Sequence, residues 1–207
     1  PALQNDQASL DGLGLPGWGS LRLALPTENG SDAANLVAEA VASASAPSGA
    51  PATEGIGAVN ALIAGQPKLD GPSLDTAMKA LLDNGSEGSA IAAAPAHAVA
   101  ITEQQLFTRA AALSDATSAL AGWLPSGPAP VADFPAVLLS GDWIAEEQAS
   151  GASEFERFLL EPDQLAQLAK AGFRTAGNTP PANDVVNFAP LPATLSIGDD
   201  AARVSVA

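Results

Sequence analysis

An α/β fold with open sheets is the class this sequence predicts. Three observations carry it. Short apolar runs with strand spacing alternate along the chain with capped, amphipathic stretches of helical period. Turn signals such as Asn29-Gly30 and Asn84-Gly85 separate them. Alanine fills 46 of the 207 positions. Large apolar side chains are therefore fewer than a hydrophobic content of 47% suggests, and a core has to form by close packing of helices around small residues.

Residues 1–17 are polar and Gly-rich and read as a lead-in segment. Leu21, Leu23 and Leu25 alternate as in a strand that Pro26 stops. Ser31 or Asp32 caps a helix to about Ser45, with Leu36, Val37, Ala40 and Val41 as its apolar stripe. Residues 47–53 form a loop. A short helix follows from Gly55 to Ala64, with Ile56, Val59, Leu62 and Ile63 on one side. Ser73 caps a helix over Leu74–Leu82. Val99 and Ile101 have strand spacing. Thr102 and Gln105 form a capping box that opens a helix to about Leu113.

Gly122–Pro125 reads as a short strand and the Pro-rich stretch 126–130 as a boundary. Phe134–Leu139 reads as a strand with Pro135 near its start. Trp143–Leu160 is a helix. Pro162 starts another at its first position, and Gly172 ends it. Phe155, Phe158, Leu159, Leu165, Leu168 and Phe173 have the spacing to form one packed cluster across the Pro162 break. Residues 175–207 are Pro-rich, with β-like runs at Val185-Val186 and Leu195–Ile197. The organisation expected is thus a lead-in at 1–17, an α/β domain at 18–130, a return strand and closing helices at 131–174, and a tail or linker at 175–207.

Eight basic against 23 acidic residues, a net charge of −15, exclude a nucleic-acid partner and an anionic membrane surface. The absence of Cys excludes disulfides, thiolate metal sites and Cys nucleophiles. No run of 18 large apolar residues is present. His97 is the only histidine, so a His-rich metal site is excluded, and no serine lies in a G-x-S-x-G elbow. His97 is expected to be dispensable for activity. The acidic pairs Glu146-Glu147, Glu154/Glu156 and Asp199-Asp200 read as solvated helix or turn residues. Asn29-Gly30-Ser31 and Asn84-Gly85-Ser86 match the glycosylation sequon but read as ordinary turns between elements. No catalytic residue, metal or cofactor is expected.

Helix N-termini just beyond predicted strands carry more information, because ligands of open α/β sheets collect there. Thr27, Ser31, Thr102 and Ser140 each sit where a strand hands over to a helix or loop, and each offers a hydroxyl. They are the candidate ligand-binding residues, expected to converge on one side. Asp32, Glu103 and Asp142 place negative charge beside three of them, which favours a neutral or cationic solute. Capping alone also accounts for Ser31-Asp32 and Thr102-Glu103.

Several segments together resemble a known family. Trp18-Gly19-Ser20-Leu21 through Leu25-Pro26, with the Ser-capped helix after it, is similar to the opening of the second lobe of bacterial extracellular solute-binding proteins. Thr102-Glu103-Gln104-Gln105 resembles the turn after the next strand in an actinobacterial branch. Phe134–Leu139 resembles the strand returning to the first lobe. Ala152–Leu160, Pro162 and Ala171-Gly172-Phe173-Arg174 resemble its closing helices. The nearest likeness is to the solute-binding-like part of actinobacterial membrane proteins that carry a von Willebrand factor A domain after it. The resemblance implies a type 2 periplasmic-binding-protein fold outside the cytoplasmic membrane, in the cell envelope, anchored through a segment outside this stretch. Such a protein has about a hundred residues of first lobe before the Trp motif. Here 17 precede it, so the first lobe is largely missing or represented by residues 131–174 alone. Pro1 in place of Met reads as the start of a fragment. The expectation is a non-enzymatic domain acting in protein–protein contact or envelope assembly. The alternative is a working receptor for a small polar solute. A hydrolase has no visible nucleophile–base pair.

Overall fold

In the computed structural model the sheet reduces to its smallest form. β1 (Leu23–Ala24) pairs in parallel with β2 (Ala98–Val99), Leu23 opposite Ala98 and Ala24 opposite Val99. The structure describes all residues except 5–7, 29–31, 84–91, 114, 116–119, 125–126, 192 and 207. The ladder is made by His97 N donating to Arg22 O at 2.8 Å and Ala100 N to Ala24 O at 2.9 Å. On the other edge of β1 side chains take the place of a third strand. Gln4 Nε2 donates to Leu23 O at 3.2 Å and to Leu62 O at 2.9 Å. Gln66 Oε1 accepts from Leu25 N at 3.1 Å. The alternating leucines of 21–25 thus yield a two-residue strand, because its outer backbone groups are satisfied locally.

The helices follow the sequence more closely. Among the described residues they are α1 (Asp32–Ser45), α2 (Ile56–Ala64), α3 (Leu74–Leu82), α4 (Glu103–Ala111), α5 (Glu146–Leu159), α6 (Pro162–Lys170) and α7 (Asp200–Val206). Ser73 caps α3 as expected, its Oγ accepting from Thr76 N at 3.0 Å. Pro162 occupies the first turn of α6, and Gly172 follows it with φ 91°. α5 begins later than expected, at Glu146, where Gln148 Oε1 accepts from Ala145 N at 3.0 Å.

The chain divides into two units. The first holds Pro1–Thr102, Leu124–Ala132 and Leu191–Ala207; the second holds Glu103–Trp123 and Asp133–Pro190. A division of this kind differs from the expected order of segments, and the reason lies in the C-terminal residues. Ile197 and Val206 are buried with Ala38 and Ala42 of α1, Ala52 and Val59, with Leu195 packed against them. The stretch expected as a linker therefore supplies core residues and the helix α7. Leu195 N donates to Ala129 O and Ala129 N to Ala193 O, both at 2.7 Å, which ties the segment down further.

Small residues set the spacing in the first unit. Leu25, Ala33, Leu62 and Ala100 form a second buried group, and Ala24, Ala77 and Ala96 a third. A 3-10 turn, Ala52–Gly55, follows the 47–53 loop and leads into α2. At Gly55 a Cβ would lie 2.0 Å from Ala42 O, so only glycine permits this approach to α1. Glu39 of α1 is buried and pairs with Arg203 of α7, Oε1 to Nε 3.6 Å.

In the second unit the order is kept by polar ties. Arg174 holds Glu103 through Nε–Oε2 at 2.7 Å and Nη2–Oε1 at 2.9 Å, and also donates to Ala189 O at 2.8 Å. Its guanidinium lies 5.6 Å from the ring centre of buried Phe188, which packs on Phe107 at 5.5 Å. Phe188 has φ 47°, a left-handed conformation that disfavours a side chain by about 1–2 kcal/mol. The run Val185-Val186 is an Asn-centred turn instead of a strand. Asn183 Oδ1 accepts from Val185 N and Val186 N, and its Nδ2 donates to Phe107 O.

Three further expectations fail. Gly122–Leu124 and Phe134–Leu139 are not strands. The cluster expected around Phe158 is not a core: α5 buries no residue, and Phe155, Phe158 and Leu168 are 60%, 45% and 39% exposed. Phe155 and Phe158 stack on one another at 6.5 Å, and Phe173 meets exposed Phe134 edge-on at 6.3 Å. The helical spacing is real, but among the described residues of the second unit nothing buries that face of α5.

Candidate functional site

Parallel pairing places the segments after β1 and β2 at the same, carboxyl, end of the sheet. Thr27 and Thr102 each lie three residues beyond their strands, so the structure brings these two candidates to one sheet end. Thr27 is exposed and Thr102 half-buried. Ser31 and both sequons lie outside the described residues. Ser140 is exposed in the second unit, within the irregular stretch before α5.

Thr27 lines a cleft. Its volume is about 420 Å³, and Leu25, Gln66, Lys68, Leu69 and Ser73 lie around it. The local fold shapes it from the residues upward. Pro26 ends β1 and turns the chain outward. Thr27 N and Glu28 N donate to Pro72 O at 3.0 and 3.2 Å, which folds the 67–72 connection over the strand end. Ser73 then starts α3, its hydroxyl engaged by Thr76. The lining offers the Thr27 hydroxyl, the Gln66 amide and the Lys68 ammonium beside apolar Leu25 and Leu69. Such a set suits a small polar molecule held by hydrogen bonds on an apolar floor. Sequence reasoning assigned 67–72 only as a connection and Ser73 only as a cap. Lys68 carried the available signal, as one of three lysines in a strongly acidic chain and set between Pro67 and Pro72.

His97 is held elsewhere in the first unit. Arg22 N donates to its Nδ1 at 3.3 Å, the Arg22 guanidinium meets its Nε2, and Trp18 packs on the ring at 5.1 Å. The same guanidinium donates to Ala92 O. Two donor groups of Arg22 thus face a ring that has one acceptor nitrogen when neutral and none when charged. Burial first, and then the charge of Arg22, lower the His97 pKa below its ordinary value of 6.5, with the Ala92 carbonyl opposing them. The arrangement makes His97 a neutral bracket between the N-terminal segment and β2.

Among the described residues no group of three or more His, Asp or Glu side chains is placed to hold a metal ion. No helix among them is long and apolar enough to cross a membrane. The second unit presents a different feature. Trp123, Phe134, Val137, Leu139, Trp143 and Phe155 are each at least 60% exposed. Large apolar side chains left in solvent in this number are candidates for a contact surface.

The chain is similar to two proteins of Mycobacterium tuberculosis, the uncharacterized proteins Rv1836c of strain H37Rv and MT1884 of strain CDC 1551. Each is 56% identical to it over all 207 residues. The chain spans 30% of the length of each of them. No family model and no solved structure matches it.

Proposed function

We propose that this chain is a non-enzymatic, solute-binding-like module of a cell-envelope protein, outside the cytoplasmic membrane, and that it works through protein–protein contact. One observation carries the contact role: the large aromatic and aliphatic side chains left in solvent on the second unit. Burying a Phe, Leu or Val side chain contributes about 1.5–3 kcal/mol. A surface with several of them exposed therefore has a large driving force for association. The envelope location and the type 2 binding-protein architecture rest on the resemblance of Trp18–Pro26, Thr102–Gln105, Phe134–Leu139 and Ala171–Arg174 to that family.

The test is a triple substitution of Phe134, Trp143 and Phe158 by Ser in the protein produced from its whole gene. The expected result is an unchanged urea midpoint and the loss of its native complexes, read as a smaller mass on native gels of envelope extracts. Complexes of unchanged size would overturn the contact role.

The second reading is a small-solute receptor, favoured by the cleft beside Thr27. Calorimetry with amino acids, sugars and simple ions decides it. Micromolar binding that Gln66→Ala and Lys68→Ala both abolish establishes the receptor. The absence of heat from any of them removes it.

A further inference from the structure

We propose that the uncovered face of α5 seats a basic amphipathic helix, about three turns long, of a partner protein. The inference rests on the contact-module reading and names the chemistry of the partner.

At helical spacing Gln148, Gly151, Ala152, Phe155, Phe158 and Leu159 share one face of α5, and each is exposed or half-buried. Phe155 and Phe158 stack on one another there. The edges of this face are acidic. Glu147 and Glu154 flank it on one side and Glu156 on the other, while Arg157 lies on the back of the helix. Among the described residues the ion pairs engage Glu103 and Glu39 and none of these three carboxylates.

Two properties of α5 point to an occupant. The first is its weak support. α1, equally long, buries Ala33, Ala38, Glu39 and Ala42, whereas α5 buries no residue. A helix of this length is marginal in water without a packed face. Ser150, Gly151 and Ser153 lower its propensity further. The second is Gly151. Nothing among the described residues lies within 4 Å of the place its Cβ would take, so no neighbour there needs the room. Glycine is unfavourable inside a helix, but here it lets a second helix backbone come close beside Phe155.

Charge selects the occupant. An apolar stripe with carboxylates along both edges matches a helix with Lys or Arg beside its own apolar stripe, as edge charges do across paired helices. A second copy is the wrong occupant, because two α5 faces laid together set Glu147, Glu154 and Glu156 against their own kind. The same carboxylates repel an anionic lipid surface. An extended peptide gains no backbone bonds, since α5 pairs its N–H and C=O groups internally.

Calorimetry on the protein produced from its whole gene tests this, with a synthetic amphipathic helix of about five turns as the probe. The probe carries Leu on one face, Lys along both edges of it and Gln elsewhere. Micromolar binding is expected, weakened about tenfold or more by Glu147→Gln, Glu154→Gln and Glu156→Gln together. Gly151→Leu fills the space while raising helix propensity, so it should weaken binding as much without lowering the urea midpoint. Glu54→Gln, Asp70→Asn and Asp83→Asn in the first unit should leave binding unchanged. Four outcomes overturn the inference: no binding, equal binding of a probe with Glu in place of Lys, equal weakening by the two acidic triples, or full binding to Gly151→Leu. Native gels of envelope extracts separate it from the contact reading. The Glu147, Glu154 and Glu156 variant should lose the native complexes. Complexes that persist there, yet are lost when Phe134, Trp143 and Phe158 become Ser, would overturn the basic partner alone. Complexes that persist in both variants would overturn both readings.

Discussion

The two units keep their order by different means. In the first, α1, α2, the 3-10 turn at Ala52–Gly55 and α7 enclose small apolar side chains, with Ala42 and Ala96 fully buried. In the second, α5 buries nothing, and Phe188 is held in place by an Arg–Glu fork and by Asn183. An alanine-rich chain tolerates the first arrangement because small side chains let helix backbones approach closely. The second leaves many of its larger side chains in solvent, among them Trp123, Phe134, Trp143 and Phe155.

The comparison breaks most visibly at Gly55. Gly55→Ala places a methyl group against Ala42 O and forces α1 away from the turn. The expected loss is about 3 kcal/mol, at the upper end of ordinary overpacking. A urea midpoint close to wild type would mean that the helix contact is not tight. In the second unit the matching change is Arg174→Ala, which removes a two-pronged bond to Glu103 and the bond to Ala189. A loss of about 1.5–3 kcal/mol is expected. Early proteolysis around residues 183–190 should accompany it. Arg174→Lys should recover only part, since an ammonium cannot fork.

Arg203→Ala leaves buried Glu39 without its partner and should lower stability by about 1 kcal/mol, because Arg203 is itself half in solvent. Adding Glu39→Gln should restore most of that loss. A double variant no better than the single one would mean that the charge is not the cause.

A smaller effect concerns pH in the first unit. His97 has a lowered pKa in the folded chain, so the unfolded chain takes up the proton first. Stability from this group is full above about 6.5. It declines as the pH falls through that value and is gone below the folded pKa. Urea midpoints at pH 7.5 and 6.0 should differ in the wild type and converge in His97→Gln. The least effect is expected at Phe158→Ala. With the side chain 45% exposed on a face that nothing covers, the change should stay within about 0.5 kcal/mol. A loss of several kcal/mol there would restore the packed cluster that its helical spacing suggests.

The helices were legible because their signals are local. Ser73 before Leu74, Pro162 at the start of α6 and Gly172 after it act within one turn, and each appears where its chemistry places it. The candidate site was legible only at Thr27 and Thr102, which share one sheet end. Gln66 and Lys68 were not, since their places around the cleft depend on Pro72 accepting from Thr27 across the chain. α7 was hidden by the glycine and prolines before it, and its place in the core comes from α1, more than 150 residues earlier.

By itself the sequence placed most of the helices, though not the start of α5 or the existence of α7, and it indicated the dependence on small-residue packing, since propensity and capping need no partner in space. The tertiary structure decided which apolar runs became strands. Leu21–Leu25 closed down to two paired residues because Gln4 and Gln66 took its outer backbone groups. Val185-Val186 is a turn because the Asn183 side chain takes up its amides. Phe134–Leu139, with no neighbour to supply donors and acceptors, stayed unpaired. A strand is a relation between segments, so its residues record a preference and only its neighbours supply the hydrogen bonds.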